Sequence, residues 1–183
     1  MLLTKIEAAM KLGLSIELLD YFTKKCPKQS ETRLLKPTKA DGQIFFDDGE
    51  LLSYQNWLSE PWQYTKGQRP AIPDAIKTDI KAGSHYGCAI CGYSDNGEVA
   101  HVEAVAETLN NSPDNLIFLC PNHHTKYDLG YKPSSNIPLE VVRAAKLVKR
   151  STRQRVLRHE ANATKLLVAV TSLLKSLEQK LWS

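Results

Sequence analysis

Long apolar runs are missing from this chain. No stretch of consecutive apolar residues exceeds five, LLVAV at 166–170 among them, whereas a membrane helix needs about 18 or more. The N-terminus, MLLTKIEAAMKLGLS, breaks its apolar residues with charges and shows no small-residue cleavage site, so no secretory leader is expected. Internal repeats and low-complexity tracts are also lacking. Cysteine is scarce, with four in 183 residues. That excludes a disulfide scaffold, and in a soluble intracellular chain spaced thiols suit a metal better. No charge sign dominates: 24 Lys and Arg stand against 20 Asp and Glu, a net +4. Such a mild excess is compatible with an anionic partner without demanding one. What is present, 42% hydrophobic and 24% charged residues, is the composition of a folded chain with a buried core.

The first sixty residues carry helix and turn signals. Thr4 followed by Glu7 is a capping box, Gly13 interrupts, and Ser15 can cap a second helix reaching about Lys25. Asp41-Gly42 lies between two short apolar runs and marks a hairpin. The segment DDGELLSYQNWLSE then starts with acids at its positive end and is expected to bury Leu51, Leu52, Tyr54, Trp57 and Leu58. Helix, turn, helix, hairpin, helix over residues 1–60 resembles the winged helix-turn-helix modules of excisionase and MerR-type proteins. Residues 61–73, punctuated by proline and glycine, read as a linker. A short helix from about Asp74 to Lys81 opens the remainder, 74–183. After another turn at PSSNIPLE, the composition from Leu139 to Trp182 is helical, with a break expected near Ser151.

Cys88-x-x-Cys91 can place two thiolates at adjacent corners of a tetrahedron. Cys120-x-x-His123 repeats that spacing and offers the other two, a Cys3His pattern suited to structural zinc. Between the halves, GEVAHVEAV and NLIFLC have strand propensity, and AETLNNSPD between them reads as a loop. PNHHTKYD can open a helix with Pro121 in its first turn. Strand, loop, strand and helix are thus pinned by one Zn2+.

His101, Asn115 and His124, framed by CxxC and CxxH over residues 84–130, resemble the HNH endonucleases and their ββα-metal fold. The resemblance implies that His101 is the general base, since an imidazole can take a proton from water at physiological pH. It implies that Asn115 braces the loop, and that His124 binds a second, catalytic Mg2+, Mn2+ or other divalent ion. Many members carry Asp or His where this chain has Ala100. Asp128, one helical turn after His124, is the proposed replacement ligand, with Glu103 a weaker one. His85 and His159 are expected at the surface, and Cys26 as a small buried apolar residue.

Residues 141–159 hold seven Lys or Arg and no acid. Lys146, Lys149, Arg150, Arg153, Arg155 and Arg158 are candidates for contact with DNA phosphates. Leu166, Val170, Leu173, Leu177 and Leu181 then recur at helical spacing. This stripe is expected to pack on the chain's own core, with a homodimer or a larger protein partner as the other possibilities.

The fold expected is α+β and mainly helical: a winged helix-turn-helix plus a zinc-stabilised ββα-metal module with long C-terminal helices. The function expected is a DNA endonuclease, cytoplasmic, bacterial or phage-encoded, serving defence or DNA processing. A non-catalytic zinc-containing DNA-binding regulator, or an effector subunit of a larger defence complex, are the alternatives.

Overall fold

In the computed structural model, residues 1–29, 31–40, 42–63, 70–128 and 137–181 are described. Asp41 of the expected hairpin turn, residues 64–69 of the expected linker, the first half of the PSSNIPLE turn (133–136) and Trp182 lie outside them. The chain is α+β and mainly helical.

Strand β1 (Leu2–Thr4) runs into helix α1 (Lys5–Leu12). The Thr4 hydroxyl accepts from the Glu7 N–H while the Glu7 carboxylate accepts from the Thr4 N–H at 2.9 Å. Together they satisfy two of the orphan donors at a helix start. Gly13, at φ 70°, ends α1 in the left-handed region that L side chains avoid. Ser15 caps helix α2 (Ile16–Lys24) through the Leu18 N–H at 3.1 Å. Strands β2 (Thr38–Ala40) and β3 (Gln43–Asp47) form an antiparallel pair, and β1 adds to the other edge of β3. Helix α3 (Asp48–Ser59) follows, capped by Asp47. It buries Leu51, Tyr54, Trp57 and Leu58, but Leu52 is 55% exposed, since it projects from the outer side of the helix. Strand β1 was not foreseen, because LLT reads as the lead-in to the helix.

Helix α4 (Asp74–Gly83) leads to strand β4 (Glu98–His101), a short helix α5 (Val105–Thr108), a 3-10 turn (Pro113–Asn115) and strand β5 (Leu116–Leu119). The expected loop between the strands therefore carries two helical turns. β4 and β5 pair antiparallel, with Val99 opposite Phe118 and Ala100 opposite Ile117. All four β5 residues are buried, the pattern of a strand covered on both faces. Leu116 and Phe118 join the larger core with Leu19, Phe22, Ile76 and Leu157. Ile117 and Leu119 join a second core with Ala100, Cys88, Cys120 and Val142. Helix α6 (Pro121–Asp128) packs on this hairpin.

Helix α7 (Leu139–Leu181) is 43 residues long, about 64 Å at 1.5 Å per residue. It runs unbroken through Ser151, contrary to the break expected there. The Thr152 hydroxyl donates to the Val148 carbonyl at 2.9 Å, so this polar pair is absorbed by back-bonding within the helix. The first half of α7 docks on α1 and α4. Arg150, Arg153 and Gln154 donate to the carbonyls of Lys11, Gly13 and Met10, meeting the orphan acceptors at the α1 C-terminus. The second half does not pack on the core as expected: Leu166, Val170, Leu173, Leu177 and Leu181 are 45–81% exposed. No helix among the described residues is long and apolar enough to cross a membrane.

Candidate metal centre and active site

The approach to Cys88 is a sharp reversal. His85 and Tyr86, directly after α4, both take positive φ, 54° and 56°. A Cβ on Gly87 would stand 2.6 Å from the Gly92 carbonyl oxygen, so the knuckle closes only because residue 87 has none. The Gly92 N–H donates to the Cys88 carbonyl and the Cys88 N–H to the Tyr93 carbonyl, both at 2.8 Å. Cys120, between β5 and α6, and His123 of α6 complete the group. The ligand atoms of Cys88, Cys91, Cys120 and His123 all lie within 4.8 Å of one another. Cys91 Sγ is 3.9 Å from Cys120 Sγ, and His123 Nδ1 is 3.4 Å from Cys88 Sγ and 3.2 Å from Cys120 Sγ. A zinc tetrahedron with Zn–S about 2.3 Å and Zn–N about 2.0 Å has S···S edges near 3.8 Å and S···N edges near 3.5 Å. The donor set and its spacing fit that ion. Burial opposes ionisation of the Cys88 thiol, yet the N–H groups of Cys91, Cys120 and Ile90, with the Cys91 thiol, bring it down to about 6. A thiolate is the form that ligates metal.

His101 ends β4. Its Nε2 lies 2.7 Å from Asn111 Oδ1, and Asn111 Nδ2 donates to the Pro70 carbonyl at 2.8 Å. A carbonyl only accepts, so Asn111, fully buried, presents its oxygen to the histidine. The proton of neutral His101 therefore sits on Nε2, and the Nδ1 lone pair is the basic position. Asn115, buried at the end of the 3-10 turn that precedes β5, spans the loop. Its Oδ1 accepts from the Glu103 N–H at 2.7 Å, and its Nδ2 donates to the carbonyls of Glu103 and Asn110.

His123 and His124 are consecutive on α6, hence about 100° apart around the axis. While His123 meets the sulfurs, His124 Nδ1 lies 2.8 Å from Glu98 Oε2, with the ring 24% exposed. Glu98 shares a face of β4 with Ala100, and His101 alternates onto the other. Among the described residues β4 pairs with β5 alone.

Ala100 is packed in the second core. The Asp128 side chain lies outside the described residues. Glu103 pairs with Arg143 at 2.7 Å. Glu98 is a carboxylate beside His124, and neither it nor Asn111 was singled out from sequence. A glutamate three places before a histidine and one asparagine in an Asn-rich loop carry no local signal. His85 and His159 are exposed. Cys26 is half-buried, its Sγ 3.4 Å from the Lys28 carbonyl oxygen, and burial pushes its thiol up.

Half of the basic candidates turn inward. Lys146 donates to the carbonyls of Pro113 and Leu116, and burial pushes its ammonium down to about 8. Arg150 pairs with Asp114 at 2.9 Å and Arg153 with Asp79 at 2.6 Å. These three satisfy internal acceptors where α7 docks. Lys149 is half-buried, and Arg155 and Arg158 are exposed.

Comparison with curated proteins and with solved structures gave no match. Residues 88–131 match the family model described as HNH endonuclease. The matched stretch opens on the first thiol of the Cys3His cluster and contains His101, Asn115 and His124. This stretch is similar to an HNH endonuclease segment, and its Cys3His group could hold a metal ion.

Proposed function

We propose that this chain is a metal-dependent endonuclease of the HNH type that hydrolyses DNA phosphodiester bonds. One observation carries the reading: within the matched segment stands a histidine whose free nitrogen is fixed by a buried amide. His101 Nδ1 takes a proton from a water molecule. The water oxygen bonds to phosphorus, and the bond from phosphorus to the 3′ oxygen breaks. That oxygen leaves with the electron pair and is protonated by solvent, giving a 5′ phosphate and a 3′ hydroxyl. The zinc cluster is structural, fixing α6 against the hairpin. His124 and Glu98 would hold a catalytic Mg2+ or Mn2+, with Asp128 one turn along α6 as a third donor. Such an ion would supply positive charge where negative charge builds up at the phosphate. Asn115 holds the loop that follows His101.

Residues 1–60, as a winged helix-turn-helix, bring the nuclease segment to DNA. Lys149, Arg155 and Arg158 neutralise backbone phosphates. The test is nicking of supercoiled plasmid in Mg2+ or Mn2+ by the wild type, His101→Ala and His124→Ala, with zinc content measured in each. Loss of a positioned general base costs about 10²–10⁴-fold. His101→Ala is expected to lose that much while keeping one zinc per chain. Equal nicking by wild type and variant removes the enzyme reading.

Ala100 favours a second reading, a zinc-braced DNA-binding regulator, because the buried methyl offers no ligand beside His101. On that reading wild type and both histidine variants bind DNA alike and none of them nicks it.

A further inference from the structure

From Asn162 to Leu181 every residue of α7 is exposed. Leu166, Val170, Leu173 and Leu177 follow one another at steps of four, three and four, and Leu167, Leu174 and Leu181 run beside them at steps of seven. In heptad terms Leu166 and Leu173 are d positions, Val170 and Leu177 a positions, and the flanking leucines e positions. Leu166 is 66% and Leu173 60% exposed. Of the charges in this segment, Lys165, Lys175 and Glu178 fall at c, f and b, outside the stripe, and Lys180 falls at d, beyond its last apolar seam residue, Leu177.

The surface of the whole chain points the same way. It exposes 11470 Å². A compact monomer of 20.5 kDa exposes roughly 8,900 Å². The excess, on the order of 2,600 Å² per chain, exceeds the roughly 800 Å² that each partner commits to a standard stable interface.

We propose that residues 163–181 of α7 form a dimerisation helix that pairs with the same segment of a second copy of the chain. Its occupant is its own copy because the stripe is its own complement. It is uncharged from Ala163 to Leu177, and valine at a between leucines at d favours pairing of two helices. As far as Leu177 neither helix of such a pair puts a charge on the seam, and a two-fold axis repeats the patch on both partners. The pairing brings two nuclease-type segments into one particle, yet it does not depend on their being active.

Sedimentation or light scattering of the full-length, zinc-loaded protein tests this without DNA. The wild type is expected at twice the 20.5 kDa chain mass. The double variant Leu166→Glu/Leu173→Glu sets glutamates against each other in an apolar seam. It is expected at chain mass, with dissociation of the dimer favoured at least about 100-fold. Its zinc content and circular dichroism should not change, because both side chains lie outside the core. Lys175→Glu, on the opposite face, should leave the dimer mass unchanged. A wild type at single-chain mass up to about 100 µM overturns the proposal, and is the result expected if the stripe receives a different protein. So does a double variant that keeps the wild-type mass. A dimer that nicks no plasmid leaves this inference standing and removes the nuclease reading.

Discussion

Because the Pro70 carbonyl can only accept, the orientation of Asn111 and hence the tautomer of His101 follow from one buried hydrogen bond. Replacing Asn111 by Leu leaves Nε2–H unpaired and frees the ring to turn. Outer partners of this kind are worth about 10–100-fold in activity. Asn111→Leu is therefore expected to lower kcat for nicking by that factor with KM for DNA and zinc content unchanged. A KM effect alone would show that Asn111 does not position the base. Lys146 supplies a second residue-level test, this time of stability. Its folded pKa, pushed down to about 8 by burial, lies below the unfolded value of about 10.4. Below pH 8 both states hold the proton, and the folded chain bears the full cost of a buried charge. Between the two values the unfolded chain keeps a proton the folded chain has released, so stability rises with pH. The wild-type stability minus that of Lys146→Met should be flat below pH 8 and climb toward pH 10.4 in urea titrations. The ligand types were legible in the sequence because identity and spacing suffice for CxxC and CxxH. Asn111 and Glu98 were not, since their roles arise from a loop closing on Pro70 and a helix lying over β4.

The elements begin and end where local chemistry says, at Thr4, Gly13, Ser15 and Asp47. What local chemistry does not say is what a basic helix face meets. Seven cations without an acid suggested DNA, but α7 turns Arg150 and Arg153 onto the end of α1 and onto Asp114 and Asp79. Gly13 makes that docking possible twice over. Its φ of 70° suits glycine, and a Cβ there would stand 2.8 Å from Arg150 Nε. Gly13→Ala should destabilise the chain by about 1–2 kcal/mol from the left-handed backbone alone, more if Arg150 cannot shift. Arg153→Ala leaves Asp79, 1% exposed in its side chain, as a buried carboxylate without its cation. Removing one partner of a buried pair costs about 3–5 kcal/mol. A shift in urea midpoint with an unchanged slope would measure both losses. A midpoint for Arg153→Ala equal to that of the wild type would mean that this pair does not hold α7 in place.

Across the whole molecule, one apolar core takes in residues from both sides of 61–73. Leu19, Phe22, Tyr54 and Trp57 from the first sixty residues share it with Ile76 and Ile80 of α4, Leu116 and Phe118 of β5, and Leu157 of α7. Polar links cross the same boundary: Gln55 Nε2 donates to Asp114 Oδ2 at 2.6 Å, and the Trp62 N–H to the Leu109 carbonyl at 2.9 Å. Proline and glycine are local signals, whereas a shared interior is a matter of packing between distant residues. A hairpin with one face in this core and the other on the cluster ties the cysteines to the N-terminal helices. Unfolding should then be a single cooperative event. Two probes at the two ends can check it: fluorescence of Trp57 and Trp62 in a Trp182→Phe background, and the thiolate absorption of the Co2+-substituted cluster. Their urea transitions are expected to coincide. Loss of the cobalt signal at a lower urea concentration than the tryptophan change would mean that the cluster and the N-terminal helices unfold as separate units.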